Sequence, residues 1–233
     1  EFRNFYLTSR SEQLGHNIVE ELADLGEQRL AHMDAAGVDI QVLSFGSPGP
    51  QGFGADIAIP MARDANDLLY EAVKAHPNRF AGFAALPTAA PEAAADELER
   101  TVRKLGFKGS MIHGHTQGSF LDERKYWVIF ERAEALGVPI YLHPTLAHPN
   151  AMKSYFEGYE ELARAGWGFA IDTSCHFLRI VFAGVFDTFP NLKIILGHLG
   201  EGLPFAMHRL NDHTYQAAAR RGLKKTPIQY LKD

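Results

Sequence analysis

Apolar positions along the chain switch repeatedly between helical and extended spacing. Over residues 12–36 they recur three and four apart (Ile18, Leu22, Leu25, Leu30, Met33), and Gly37 follows as a stop, which predicts an amphipathic helix. Residues 40–45 form a short apolar run closed by Gly46-Ser47-Pro48-Gly49-Pro50, the pattern of a buried strand. The alternation then continues. Helical spacing covers 56–76 and is stopped by Pro77, and residues 80–86 read as a strand. An alanine- and glutamate-rich helix over 91–105 has proline at its start and Gly106 after its end. Strands are predicted over 109–113, 139–143 and 192–196, with a helix over 126–136 between the first two. Residues 145–170 hold loop and one helix, residues 173–187 are helical, and 203–220 form a final helix.

Strands alternating with helices of this length indicate βαβ units and a parallel sheet. The fold class is therefore α/β, either an open doubly wound sheet or a (β/α)8 barrel. No Gly-x-Gly-x-x-Gly follows a strand, so a dinucleotide-binding sheet has no support. No composition break divides residues 1–233, which read as a single domain. Five predicted strands fall short of the eight a closed barrel needs. The chain opens Glu1-Phe2-Arg3-Asn4 and ends Tyr230-Leu231-Lys232-Asp233, and both ends read like cuts through a longer protein. The expectation is a TIM-like barrel whose first and last two strands lie outside this sequence.

Composition narrows the function classes. With 46% hydrophobic and 22% charged residues, disorder and coiled coil are excluded. No apolar run approaches the roughly 18 residues of a membrane span. A net charge of −5 gives no general attraction to nucleic acid or anionic membrane. The single cysteine, Cys175, fits a reducing compartment, so a cytoplasmic location is expected. The aromatic-rich stretch 155–169 is a candidate subunit interface, in a homodimer or homotetramer, or a lid.

Eleven histidines change the picture by where they fall. Barrel enzymes carry their chemistry at the C-terminal ends of strands. Strand 109–113 ends in His113-Gly114-His115, strand 139–143 ends in His143, and strand 192–196 runs into Gly197-His198 with Glu201 three residues on. Three successive strand ends thus deliver imidazoles to one rim, as a metal or acid/base site requires. Each also has a simpler reading. His143 can be a core histidine bonded to backbone, and His198 a strand cap beside a helix-dipole acid, Glu201. His113 and His115 can be solvated, and His176 can be a satisfied buried histidine. Arg209 is either a surface cation or a bidentate carboxylate ligand.

Longer runs carry a resemblance. They are Tyr141-Leu142-His143-Pro144, Trp167-Gly168-Phe169 with Asp172-Thr173, His176-Phe177-Leu178-Arg179, and Gly197-His198-Leu199-Gly200-Glu201-Gly202-Leu203-Pro204 with Arg209-Leu210. In the front half they are Arg63-Asp64-Ala65-Asn66-Asp67, Pro77-Asn78-Arg79-Phe80 and Gly106-Phe107-Lys108-Gly109. Together these resemble the metal-dependent aromatic-acid decarboxylases of the amidohydrolase superfamily, which act on γ-resorcylate, 2,3-dihydroxybenzoate and 5-carboxyvanillate. His115-Thr116-Gln117-Gly118 leans toward the 5-carboxyvanillate branch.

The resemblance implies a (β/α)8 barrel holding one divalent ion, Zn2+ or Mn2+, with no organic cofactor. His143 matches the family's fifth-strand metal ligand. His198 matches the histidine beside the substrate carboxylate, with Glu201 as its orienting partner. Arg209, His176, His115 and Phe169 are the expected substrate contacts. The implied reaction is non-oxidative loss of CO2 from a small ortho-hydroxylated benzoate, with the family's last-strand aspartate as the usual proton donor. Neither that aspartate nor the acidic first-strand ligand has a counterpart in this sequence. His113 stands where the family shows asparagine, and Arg10 is out of register with an arginine that relatives place near residues 11–13. A lactone- or amide-cleaving amidohydrolase and a non-catalytic barrel fragment are the alternatives.

Overall fold

The computed structural model describes residues 18–232. The start of the predicted 12–36 helix, Arg10, residues 11–13, His16 and both chain ends lie outside the described residues. Within them the sequence pattern produces two short helices, α1 (Ile18–Ala23) and α2 (Glu27–Ala35), where one was predicted. The break falls at Asp24, whose carboxylate accepts from the backbone N–H of Gly26 (2.9 Å) and of Arg29 (2.6 Å). An aspartate that satisfies backbone donors in this way competes with helix continuation.

Strand β1 (Gln41–Leu43) is followed by a 3-10 turn (Gly49–Gly52) and the long helix α3 (Ala55–Ala75). Strand β2 (Phe80–Ala85) leads to α4 (Pro91–Leu105), and β3 (Gly109–His113) leads to α5 (Trp127–Leu136). Gly106 and Gly137 end α4 and α5 in the left-handed region, at φ 74° and 67°. Strand β4 (Ile140–His143) is followed by α6 (Pro149–Phe156), α7 (Gly168–Phe182) and α8 (Val185–Thr188). The predicted 173–187 helix therefore begins earlier and is split at Gly184 (φ 81°). Strand β5 (Ile194–Leu196), α9 (Leu203–Arg220) and α10 (Pro227–Lys232) complete the chain, and α10 had no counterpart in the sequence reading.

All five strands are parallel and their spatial order is β1-β2-β3-β4-β5. Each new strand adds to the same edge. A doubly wound sheet would reverse its order at a switch point, so this order is that of a barrel wall. The inner strands are the most enclosed, with β2 buried at five of its six positions. Behind the sheet, Leu98 of α4, Ile129 and Phe130 of α5 and Ile180 of α7 pack on Ile112, Ile140 and Leu142 in one core.

Buried polar contacts fix the rim that this wall presents. Asn66 on α3 accepts from Ala85 N–H (2.8 Å) and donates to the Ala85 carbonyl (2.9 Å), as a neighbouring strand would. Its amide also donates to Glu97 (2.8 Å), which pairs with Arg100 (2.8 Å). Arg100 in turn reaches Asp67 at 2.8 Å, so α3, β2 and α4 are tied together where β2 ends. Among the described residues, no helix is long and apolar enough to cross a membrane.

Candidate active site

The C-terminal ends of β3, β4 and β5 place three histidines in a row. His113 and His143 are register partners on adjacent strands, with ring centroids 4.9 Å apart. His198 follows β5, and its ring lies 5.1 Å from that of His143. The convergence expected from the strand ends is therefore present.

Each imidazole is held differently. His113 is buried, and its Nε2–H donates to the Phe45 carbonyl at 2.9 Å, tying β3 to the loop after β1. The Nδ1–H of His143 donates to the Pro144 carbonyl at 2.7 Å. A carbonyl can only accept, so Nδ1 carries the proton and Nε2 keeps its lone pair. Burial, and then the neighbouring His198, lower the pKa of His143 and favour the neutral ring. A histidine whose second nitrogen is fixed by a backbone carbonyl is the usual form of a metal ligand.

His198 sits in a strained turn. It, Leu199, Gly200 and Glu201 all have positive φ, at 50°, 57°, 76° and 53°. Three non-glycine residues in the left-handed region cost on the order of 1 kcal/mol each, so such a turn marks a site where orientation matters. Its result is to bring His198 Nδ1 to 3.0 Å from Glu201 Oε1. Burial raises the Glu201 pKa, and the His198 charge opposes that rise. The Phe169 ring stands 5.7 Å from His198 and closes one side of the row.

Other expected contacts fall elsewhere. His176 is fully enclosed, and its Nε2 accepts from Leu121 N–H at 2.9 Å. Burial pushes its pKa down to about 3, so it stays neutral. It holds the loop after β3, with no surface left for a substrate in this conformation. His115 lines a cavity beside the row, while its Nδ1 accepts from Gly118 N–H at 3.0 Å. Burial and then His148 lower its pKa. Arg209 is exposed on α9 and forms no ion pair among the described residues.

Two features escaped the sequence reading. Asp172 on α7 is only 3% exposed, with Oδ2 3.4 Å from Thr145 N. Burial raises its pKa to about 7. It packs so closely behind the rim that a Cβ at Gly114 (φ 58°) would come within 2.9 Å of its Oδ2 and 2.2 Å of Thr145 Cγ2. Its chain neighbours in α7 are mixed, Ile171 before it and Thr173-Ser174 after it, and nothing in one sequence separates a surface from an inward carboxylate there. The second feature is the cavity itself, about 680 Å³, lined by Gln51, His113, His115 and residues of α6.

Among the described residues, no group of three His, Cys, Asp or Glu side chains is placed to hold a metal ion. His143 fits such an ion by its tautomer and its neutral state, as one ligand of a set that these residues do not complete.

A model of the amidohydrolase family matches residues 15–232. The chain belongs to that family. Among curated amidohydrolase relatives, the γ-resorcylate decarboxylase of a Polaromonas species is 43% identical over 199 residues, covering 82% of this chain and 60% of that one. The γ-resorcylate decarboxylase of Rhizobium radiobacter is 41% identical, covering 90% of this chain and 64% of that one. Among solved amidohydrolases, a 5-carboxyvanillate decarboxylase from Novosphingobium aromaticivorans, complexed with manganese and 4-hydroxy-3-methoxy-5-nitrobenzoic acid, aligns with a TM-score of 0.86 at 40% identity. The match covers 92% of this chain and 62% of that one. A 2,6-dihydroxybenzoate decarboxylase complexed with 2,6-dihydroxybenzoate aligns with a TM-score of 0.82 at 38% identity, covering 89% and 66%. The chain thus spans less than two thirds of the length of both curated relatives.

Proposed function

We propose that the protein catalyses non-oxidative, divalent-metal-dependent decarboxylation of an ortho-hydroxylated benzoate. The observation that carries this reading is the His113–His143–His198 row, with His143 held as a neutral imidazole by Pro144. Two decarboxylases that resemble this chain were solved with manganese, which makes Mn2+ the first ion to test and Zn2+ the second. When bound, the ion supplies Lewis-acid charge for an adjacent carboxylate and phenolic oxygen.

The remaining steps belong to this chain's own residues. His143 contributes its Nε2 lone pair to the ion. His198 faces the carboxylate, and Glu201 sets the charge and orientation of that imidazole. Phe169 offers an apolar ring 5.7 Å from that of His198, against which a substrate ring can pack. Loss of CO2 requires a proton on the ring carbon that carries the carboxylate, and the resemblance gives that donation to the family's last-strand aspartate rather than to a residue described here. The C–C bond then breaks, and its electron pair restores the aromatic ring.

The test uses the full-length gene product supplied with Mn2+ or Zn2+. Incubation with 2,6-dihydroxybenzoate and with 5-carboxyvanillate is expected to bleach the substrate ultraviolet band and release CO2. A ring-opened or hydrolysed product, or no turnover of any ortho-hydroxybenzoate, would reject the reading. In the same protein His143→Ala is expected to abolish bound metal, and an unchanged metal stoichiometry would remove His143 from the ligand set.

A further inference from the structure

The segment between β4 and α7 builds a small core of its own. Ala147, Phe156 and Ala163 are buried together, with Met152 and Ile171 packed against them, separately from the main core. A connection this long with its own packing is the kind that carries a binding function. It forms one wall of the 680 Å³ cavity, whose apolar surface comes from Leu146, Ala147, Met152 and Phe156. His113 lines this cavity, and its ring lies 4.9 Å from that of His143 by centroid, so the cavity adjoins the histidine row. Space of this size suits a ligand larger than a bare hydroxybenzoate ring.

The charges around this space are unbalanced. Glu157 and Glu160 line it against one cation, Lys153. The Glu160 carboxylate accepts from Gly158 N–H at 3.0 Å, which favours its charged form. Burial holds His115 toward its neutral form, so it adds no dependable positive charge. A second carboxylate on the substrate would meet apolar carbon on one side and like charge on the other.

We propose that this cavity receives a neutral, apolar ring substituent, an alkyl or alkoxy group, and selects ortho-hydroxybenzoates that carry one over those with a second carboxylate. The proposal rests on the decarboxylase reading above and adds the substrate class. It runs against the likeness of His115-Thr116-Gln117-Gly118 to enzymes of a dicarboxylate.

The experiment compares kcat/KM of the full-length protein, loaded with Mn2+, for 2,6-dihydroxybenzoate and for its methyl and carboxyl derivatives at ring positions 3 and 4. At one position or both, the methyl derivative is expected to exceed the unsubstituted acid by about 10-fold, the scale of one group in an apolar pocket. The carboxyl derivatives are expected to fall below the unsubstituted acid. Met152→Gln, close in size but polar, is expected to reduce the methyl preference toward parity. Replacing both exposed carboxylates, Glu157→Gln with Glu160→Gln, is expected to raise the relative kcat/KM of the carboxyl derivatives about threefold, as screened surface charges allow. Turnover without a methyl preference, or a preference for a carboxyl derivative, overturns the proposal and leaves the decarboxylase reading standing. Failure on all of these acids overturns both.

Discussion

The carboxyl of Asp172 sits behind the rim, where the loops after β3 and β4 meet, with a single long contact from Thr145 N–H. One weak donor does not compensate for loss of water, so burial lifts its pKa from 3.8 to about 7. An acid whose pKa is higher folded than unfolded binds its proton more tightly in the folded state. Its contribution to stability is complete below about pH 4 and is lost as pH rises to about 7. The limiting slope for one proton is about 1.4 kcal/mol per pH unit. Asp172→Asn keeps the shape and removes the titration. With metal stripped by chelation, wild type is therefore expected to lose stability relative to this variant between pH 4.5 and 7, and to run parallel to it above pH 7.5. Denaturant unfolding at four or five pH values checks this, and parallel curves throughout would place the carboxylate in contact with water. His176, buried neutral four residues on, has the opposite sign and destabilises the fold only as pH falls below its unfolded pKa. Only the comparison with the Asn variant isolates Asp172.

At the scale of elements, the turn after β5 concentrates the strain of the site. Leu199 lies in the left-handed region with its side chain 95% exposed, so it gains no burial in return for its conformation. Glycine takes that conformation freely. Leu199→Gly is expected to leave the unfolding midpoint unchanged or raise it, by up to about 1 kcal/mol, while lowering kcat because His198 and Glu201 are less rigidly opposed. A loss above 1 kcal/mol, measured by urea unfolding, would mean that Leu199 is covered in solution. The His198–Glu201 pairing was legible in the sequence because both residues follow closely on an apolar run that ends at a glycine. So were the five strands, since each apolar run is bounded by glycine or proline. What stayed hidden depends on long-range partners. Asp24 breaks a helix by bonding Arg29 N–H, and periodicity does not register that contact. His176 has the same composition of neighbours as a pocket residue, and only its bond to Leu121, 55 positions away, removes it from the surface. Arg209 lies in a well-predicted helix, yet a helix position alone does not say which side chains reach the rim.

At the scale of the whole molecule, the sheet order leaves β1 and β5 as open edges among the described residues. Ile40 and Val42 are 59% and 51% exposed at one edge, and Ile195 is 39% exposed at the other. Beside β1, an apolar groove is lined by Val19, Leu22, Leu43 and Leu68. In a closed barrel such positions are paired or covered, since an unpaired parallel edge rich in apolar side chains templates association with another chain. This chain covers 60% and 66% of two relatives that align with this wall, so the same surface in them has further chain available to cover it. The two situations make different predictions for the same residues. A polypeptide of residues 1–233 alone is expected to associate as its concentration rises through the micromolar range. Val42→Lys, which puts a charge on the edge, is expected to reduce that association. In a full-length protein the same substitution is expected to destabilise the fold by more than about 1 kcal/mol, because the lysine would then be forced against a neighbouring element. Light scattering of the short polypeptide and denaturant unfolding of the long one separate the cases. A monodisperse 1–233 monomer with a cooperative transition would show that the five-strand wall is sufficient by itself, and that its edges need no further chain.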